Sequence, residues 1–260
     1  MSKKMLIKIV TGVVIIACVL PPILLGGIPM ECLIGFVAAC SAYEISSLSD
    51  QKPHYIRAVL LFAVIEIMGH MNDLQVPFAA SLFMTLLFLT HFCDRSFSED
   101  QLAYTFLVTM ILVFAVHGIY RIYAVQKGWG MMFVALATYL CDTGAYFFGS
   151  FFGKHKMAPR ISPNKTWEGA IGGYLAGALG AYLWGRYLCP AFPQYLVLCG
   201  ALVLPAVGEI GDLAFSSIKR RFEIKDFGSL LPGHGGILDR VDSLLFCLMM
   251  FNGLMMIWGL

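Results

Sequence analysis

The sequence predicts an all-α, polytopic integral membrane protein of about nine transmembrane helices. Three observations predict it. Of its 260 residues, 59% are apolar and only 13% are charged, where a soluble domain carries about 25% charged residues. Apolar runs of about 20 residues, the length that crosses a bilayer, recur from end to end. The lysines and arginines fall on alternate sides of those runs. With the N-terminus in the cytoplasm and nine alternating spans, 15 of the 18 basic residues face the cytoplasm. Only Arg121, Lys127 and Arg186 face outward. That asymmetry is the positive-inside pattern. A mean hydropathy of +0.78 agrees.

The predicted spans run 5–25, 28–48, 57–70, 76–93, 102–125, 129–149, 167–188, 195–213 and 241–260. The first follows a basic start, MSKKMLIKIV, that resembles a signal peptide. However, Pro21-Pro22 and Gly26-Gly27 lead directly into the second apolar run without a small-residue cleavage site, so a retained helix is expected. The third span is short for a bilayer. Most connections are short, except 150–166 and 214–240, both predicted as cytoplasmic loops. Residues 1–130 read as N-terminal transmembrane helices and 131–260 as a C-terminal catalytic region of the same membrane domain. The eight cysteines are scattered through apolar runs and include no Cys-x-x-Cys pair, which removes zinc-ribbon and thioredoxin-like readings. There is no internal repeat and no low-complexity segment.

Polar residues cluster in three places where apolar spans end, and such residues need partners. The first cluster holds Asp142 inside an apolar run, then Lys154, Lys156, Ser162, Lys165, Thr166 and Glu168 among glycines. Pro163 precedes the seventh span, so Lys165 and Thr166 sit near a helix N-terminus, a favourable position for phosphate. A basic loop facing anionic headgroups is the simpler reading of the lysines alone. The second cluster is Gly208-Glu209-Ile210-Gly211-Asp212, whose two carboxylates share one helix face. Solvent or Arg220 would be their partner if they bind no metal. The third is residues 216–242, SSIKRRFEIKDFGSLLPGHGGILDRVD, with a Pro-Gly-His-Gly-Gly turn that no regular helix tolerates. Asp239 and Asp242 also suit a helix N-terminus simply as dipole partners. Cations, carboxylates and glycines together suit a polyphosphate held through divalent metal. Glu44 and Glu66 lie in early spans with partners that sequence cannot name, and His70, His91 and His117 show no ligand spacing. No Walker A sequence is present.

The segment Ser216-x-Ile218-Lys219-Arg220-x4-Lys225-Asp226-x-Gly228-x2-Leu231-Pro232-x-His234-Gly235-Gly236-Ile237-x-Asp239-Arg240-Val241-Asp242 closely resembles the signature of phosphatidate cytidylyltransferases, the CDP-diacylglycerol synthases. Asp142-Thr143-x-Ala145-Tyr146 and Ser162-Pro163-x-Lys165-Thr166-x-Glu168-Gly169 are similar to the same family. The clear resemblance covers about residues 138–245. It implies transfer of a cytidylyl group from CTP to phosphatidate, with pyrophosphate released, in phospholipid synthesis at a bacterial inner membrane. It also implies Mg2+ with a second cation such as K+, a homodimer in the lipid bilayer, and no nucleic-acid partner. By similarity, Asp212 and Asp239 are cation ligands, with Asp142 and Asp242 in the same shell. Lys219, Arg220, Lys225, Asp226 and His234 serve the reaction. Ser162, Lys165, Thr166, Gly235 and Gly236 hold the nucleotide. Two rivals stand beside this: a CTP-dependent lipid kinase of the polyprenol type, and a transporter gated by charged loops.

Overall fold

The computed structural model describes residues 3–48, 54–94, 96–233 and 235–260; His234, Lys52 and Arg95 lie outside them. The elements in order are α1 (Lys3–Leu25), α2 (Gly27–Ser46), α3 (Tyr55–Gly69), α4 (Val76–Cys93), α5 (Glu99–Phe152), β1 (Lys156–Ala158), β2 (Ser162–Thr166), α6 (Trp167–Leu188), α7 (Gln194–Arg221) and α8 (Leu238–Ile257). The architecture is an all-α membrane fold with one small hairpin. Five of these helices, α2, α4, α5, α7 and α8, are long and apolar enough to cross a bilayer.

α5 contains 54 residues, which would extend about 80 Å if straight. It is broken instead at Lys127, whose φ of 54° lies in the left-handed region. The break falls between the fifth and sixth predicted spans, where Gln126, Lys127 and Gly128 interrupt the apolar pattern. The end of α1 presses on it: a Cβ on Gly128 would overlap the Ile23 carbonyl.

Two connections differ from expectation. The stretch 150–166 is not an open loop. α5 continues to Phe152, and an antiparallel hairpin follows, pairing Lys156 with Thr166 and Ala158 with Ser162. The stretch 214–240 is shorter than predicted, because α7 runs on to Arg221 and α8 starts at Leu238. Hydropathy marks where a helix stops being greasy, not where it stops being a helix. Ala214 to Arg221 are all helix-competent, and Lys219, Arg220 and Arg221 suit the negative end of the α7 dipole.

The main hydrophobic core extends from Ile23 to Met255, with a smaller cluster of Met68, Val76, Met110 and Val113 beside it. Phe133 on α5, Phe192 before α7 and Phe251 on α8 meet at its centre, with ring centroids 5.4 to 6.2 Å apart. α5 and α6 approach backbone to backbone. A Cβ on Gly173 would lie 2.5 Å from the Cys141 carbonyl, and one on Gly177 would lie 2.6 Å from that of Ala137. This contact brings Asp142 beside the N-terminus of α6.

Candidate active site

Four segments meet around a cavity of about 640 Å³. The second half of α5 brings Asp142, the end of β2 brings Lys165 and Thr166, α7 brings Glu209, Asp212 and Lys219, and the start of α8 brings Asp239, Arg240 and Asp242. The local folding is straightforward. Thr166 caps α6 by accepting the Gly169 N–H at 3.2 Å, which fixes the strand-to-helix corner and aims Lys165 inward. Glu209 and Asp212, three residues apart, share the α7 face toward that lysine. Lys165 Nζ lies 2.7 Å from Glu209 Oε2 and 2.8 Å from Asp212 Oδ2. Burial opposes the Lys165 charge, but Asp212 and Glu209 outweigh it and hold the ammonium above its ordinary range.

A second pair lies deeper. Lys219 Nζ sits 2.8 Å from Asp239 Oδ1, and the Asp239 side chain is 1% exposed. Asp239 Oδ2 accepts the N–H groups of Phe227 at 2.8 Å and Gly236 at 2.9 Å. Lys219 also stands 5.4 Å from the centroid of the Phe227 ring. Both oxygens of Asp239 are therefore engaged by the protein, as suits a fully buried carboxylate.

Five carboxylates face the cavity against three cations, Lys165, Lys219 and Arg240. Asp142 and Asp242 have no ion pair among the described residues. Among the described residues, the Asp242 carboxylate accepts only its neighbour's N–H, from Ser243 at 2.8 Å. An acidic surplus of this kind fits a divalent cation. No group of three or more acidic, histidine or cysteine side chains is gathered to hold a metal among the described residues. The donor set suits an ion that takes one or two carboxylates and completes its shell with substrate phosphate and water, as Mg2+ does. Asp142 and Asp242 have oxygens to spare, and Asp212 has partial freedom, sharing Oδ2 with Lys165 and Oδ1 with Ser216 at 3.4 Å.

Of the residues singled out in the sequence, Asp142, Lys165, Thr166, Asp212, Lys219, Asp239 and Asp242 line the cavity. Others sit around it. Arg220 donates to the carbonyls of Ile161 at 3.3 Å and Ile224 at 3.1 Å, tying the end of α7 to the hairpin. Lys225 and Asp226 are exposed on the turn after α7. Ser162 lies at the start of β2, paired across the hairpin with Ala158. Gly235 has φ +85°, closes a bridge with Leu231, and Gly236 donates to Asp239. The cavity also takes in Tyr146, Ser150, Asn164, Glu209, Arg240 and Ser243. Glu209 was legible as half of a carboxylate pair, and Tyr146 and Arg240 as positions within the motifs; Ser150, Asn164 and Ser243 carry no sequence signal beyond lying in or near them.

Comparison with known proteins shows the family of the chain. The sequence profile of the cytidylyltransferase family matches residues 6–258, and the chain belongs to that family. A phosphatidate cytidylyltransferase of Staphylococcus saprophyticus is 32% identical over 95% of this chain and 98% of its own length. One from Bacillus subtilis is 31% identical over 92% of this chain and 93% of its own. A third, from Staphylococcus epidermidis, reaches 47% identity over 122 residues, 47% of each chain.

Proposed function

We propose that this chain is a phosphatidate cytidylyltransferase, which joins the cytidylyl group of CTP to phosphatidate and releases pyrophosphate, forming CDP-diacylglycerol for phospholipid synthesis. One observation carries the reading: a cavity at helix ends of an apolar protein, lined by five carboxylates and three cations, in a chain similar to such enzymes along nearly its whole length.

A phosphatidate phosphate oxygen attacks the α-phosphorus of CTP. The new P–O bond forms as the bond to the β-phosphate breaks, and pyrophosphate leaves. The attacking phosphate has its second pKa near 6 and needs no general base at neutral pH. Catalysis is then positioning and charge stabilisation. Lys165, at the corner beside the α6 N-terminus, and Lys219, at the α7 terminus, receive phosphate oxygens, with Arg240 opposite. Asp142, Asp212 and Asp242, with Asp239 behind them, would hold Mg2+ and a second cation such as K+, which would supply the positive charge that lets two anions meet. By the resemblance, Lys225, Asp226 and His234 would serve the reaction, and Arg220 keeps the hairpin against α7.

The chain crosses a bacterial inner membrane about nine times, counting the two halves of α5 separately. The N-terminus and the cavity face the cytoplasm, supported by the 15-to-3 distribution of basic residues. It acts as a homodimer on lipid substrate, without a nucleic-acid partner. The deciding assay combines purified protein, phosphatidate, Mg2+ and α-labelled CTP beside Asp142→Asn. Label entering a chloroform-soluble product with pyrophosphate release, lost in the variant, is the expected result. Labelled CDP formed with a polyprenol acceptor would make the protein a lipid kinase instead. Absence of nucleotide turnover with either acceptor would overturn both.

A further inference from the structure

Glu44 lies on α2, far in sequence from every motif of the site, with 3% of its surface exposed. It has no cationic partner among the described residues. Its Oε1 accepts the Ile237 N–H at 2.7 Å, and its Oε2 accepts the Leu238 N–H at 2.9 Å. Those donors belong to the N-terminus of α8, where free N–H groups and the helix dipole favour an anion. The preceding N–H, that of Gly236, goes to Asp239. Two buried carboxylates thus divide three successive amides between them, one from α2 and one from α8 itself.

The glycines of the turn match this arrangement. A Cβ on Gly228 would come within 2.8 Å of Glu44 Oε1, and one on Gly236 would overlap the same oxygen. A Cβ on Gly235 would lie 2.9 Å from Asp239 Oδ2. These positions leave room for carboxylates of the protein. Three successive amides that a phosphate would use are already taken.

We propose that Glu44 is a positioning residue of the active site. It clamps the 235–238 turn so that Asp239 and, through it, Lys219 are held in register with the cavity, and the glycines at 228 and 236 are there to admit its carboxylate. The inference rests on the cytidylyltransferase reading for its kinetic consequence, but not for its structural one. It also assigns phosphate binding to Lys165, Lys219 and Arg240 rather than to the α8 N-terminus.

The test uses the full-length protein in nanodiscs, with Glu44→Gln, Gly236→Ala and the double variant Glu44→Ala/Gly236→Ala. Glu44→Gln retains size but offers one acceptor oxygen where two are used. It should lower kcat by about 30-fold or more, because a small misplacement of a catalytic group is costly. The KM for CTP should stay within about threefold, as expected when an interaction matters mainly in the transition state. Backbone amide exchange in substrate-free protein should accelerate locally over 227–238. Gly236→Ala should be comparably impaired, and the double variant no worse than about threefold below Gly236→Ala, since residues acting as a unit are not additive. Normal kcat in Glu44→Gln, multiplicative losses in the double variant, or accelerated exchange throughout the protein would each overturn the proposal. If wild-type protein makes no CDP-diacylglycerol, the functional reading falls, while the exchange pattern still decides whether Glu44 clamps the turn.

Discussion

The two ends of α8 carry similar polar residues put to different use. Asp239 and Asn252, one at each end, stand about 20 Å apart along the helix. At the far end, Arg121 spends all three guanidinium nitrogens on protein acceptors: Asn252 Oδ1 at 2.8 Å, the Leu260 carbonyl at 2.8 Å and Asp73 Oδ2 at 2.5 Å. His117 bonds the Met68 carbonyl at 2.9 Å and faces Asp73, and Tyr120 bridges Glu31 and His70. That cluster ties α2, α3, α5 and α8 together. At the near end, carboxylates outnumber cations around a cavity, and Asp142 and Asp242 keep spare oxygens. Residue type does not separate a structural polar cluster from a functional one. The separation lies in whether the protein itself uses up the donors and acceptors.

The sharpest way to break this comparison is Asp142→Asn. Because Asp142 has no ion pair among the described residues, turnover should fall by about 100-fold or more while the thermal midpoint holds, a loss confined to the transition state. A large fall in stability would mean that Asp142 belongs with the structural class. Lys165→Met should do both kinds of damage. It removes the cation proposed to bind phosphate and strands Glu209 and Asp212, at a cost of about 3 kcal/mol in stability, read by denaturant unfolding in detergent alongside activity.

Arg121→Met sharpens the other side. It should cost about 1.5–3 kcal/mol, the range for hydrogen bonds to charged groups, while the kcat of the folded fraction stays unchanged. A specific loss of kcat there would erase the distinction between the two ends. Thr166→Ala removes the α6 cap and should lower stability by about 1 kcal/mol, with a modest rise in KM as Lys165 loses its rigid corner. The smallest effect concerns pH. Glu168, at the start of α6, accepts from the His155 ring at 2.5 Å and from the N–H groups of Lys154 and His155. The His155 ring foremost, then the Glu168 N–H itself and the Lys154 and His155 amides, lower its pKa from 4.5 to about 2. A depressed carboxyl pKa stabilises the fold above 4.5 and gives up that stability as pH falls toward 2. Glu168→Gln should flatten the thermal midpoint across that window and leave it alone near neutrality.

Legibility in the sequence followed physical range. Helices were readable because twenty apolar residues have few other solutions in a bilayer, and the predicted run 167–188 coincides with α6. The site was readable wherever its residues were close in sequence, as with Glu209 and Asp212 on one helix face. The hairpin was missed because three- and five-residue strands have no apolar alternation to detect. The extension of α7 was missed because a helix outside the bilayer core keeps its hydrogen bonds after its hydropathy has gone. His70 and His117 seemed scattered because helical neighbours from α3 and α5 meet only in three dimensions.

By itself the sequence determined that the protein is built of apolar helices suited to a membrane, and that a dense polar signature near the C-terminus resembles one enzyme family. Composition and local spacing are properties of the chain alone. Tertiary structure decided which charges neutralise one another. It paired Lys165 with Glu209 and Asp212, left Asp142 and Asp242 with oxygens to spare, and sent Glu44 across 193 residues to the Ile237 amide. Electrostatic and hydrogen-bond partners are set by distance in space, and a linear sequence carries no measure of that distance until helix packing supplies it.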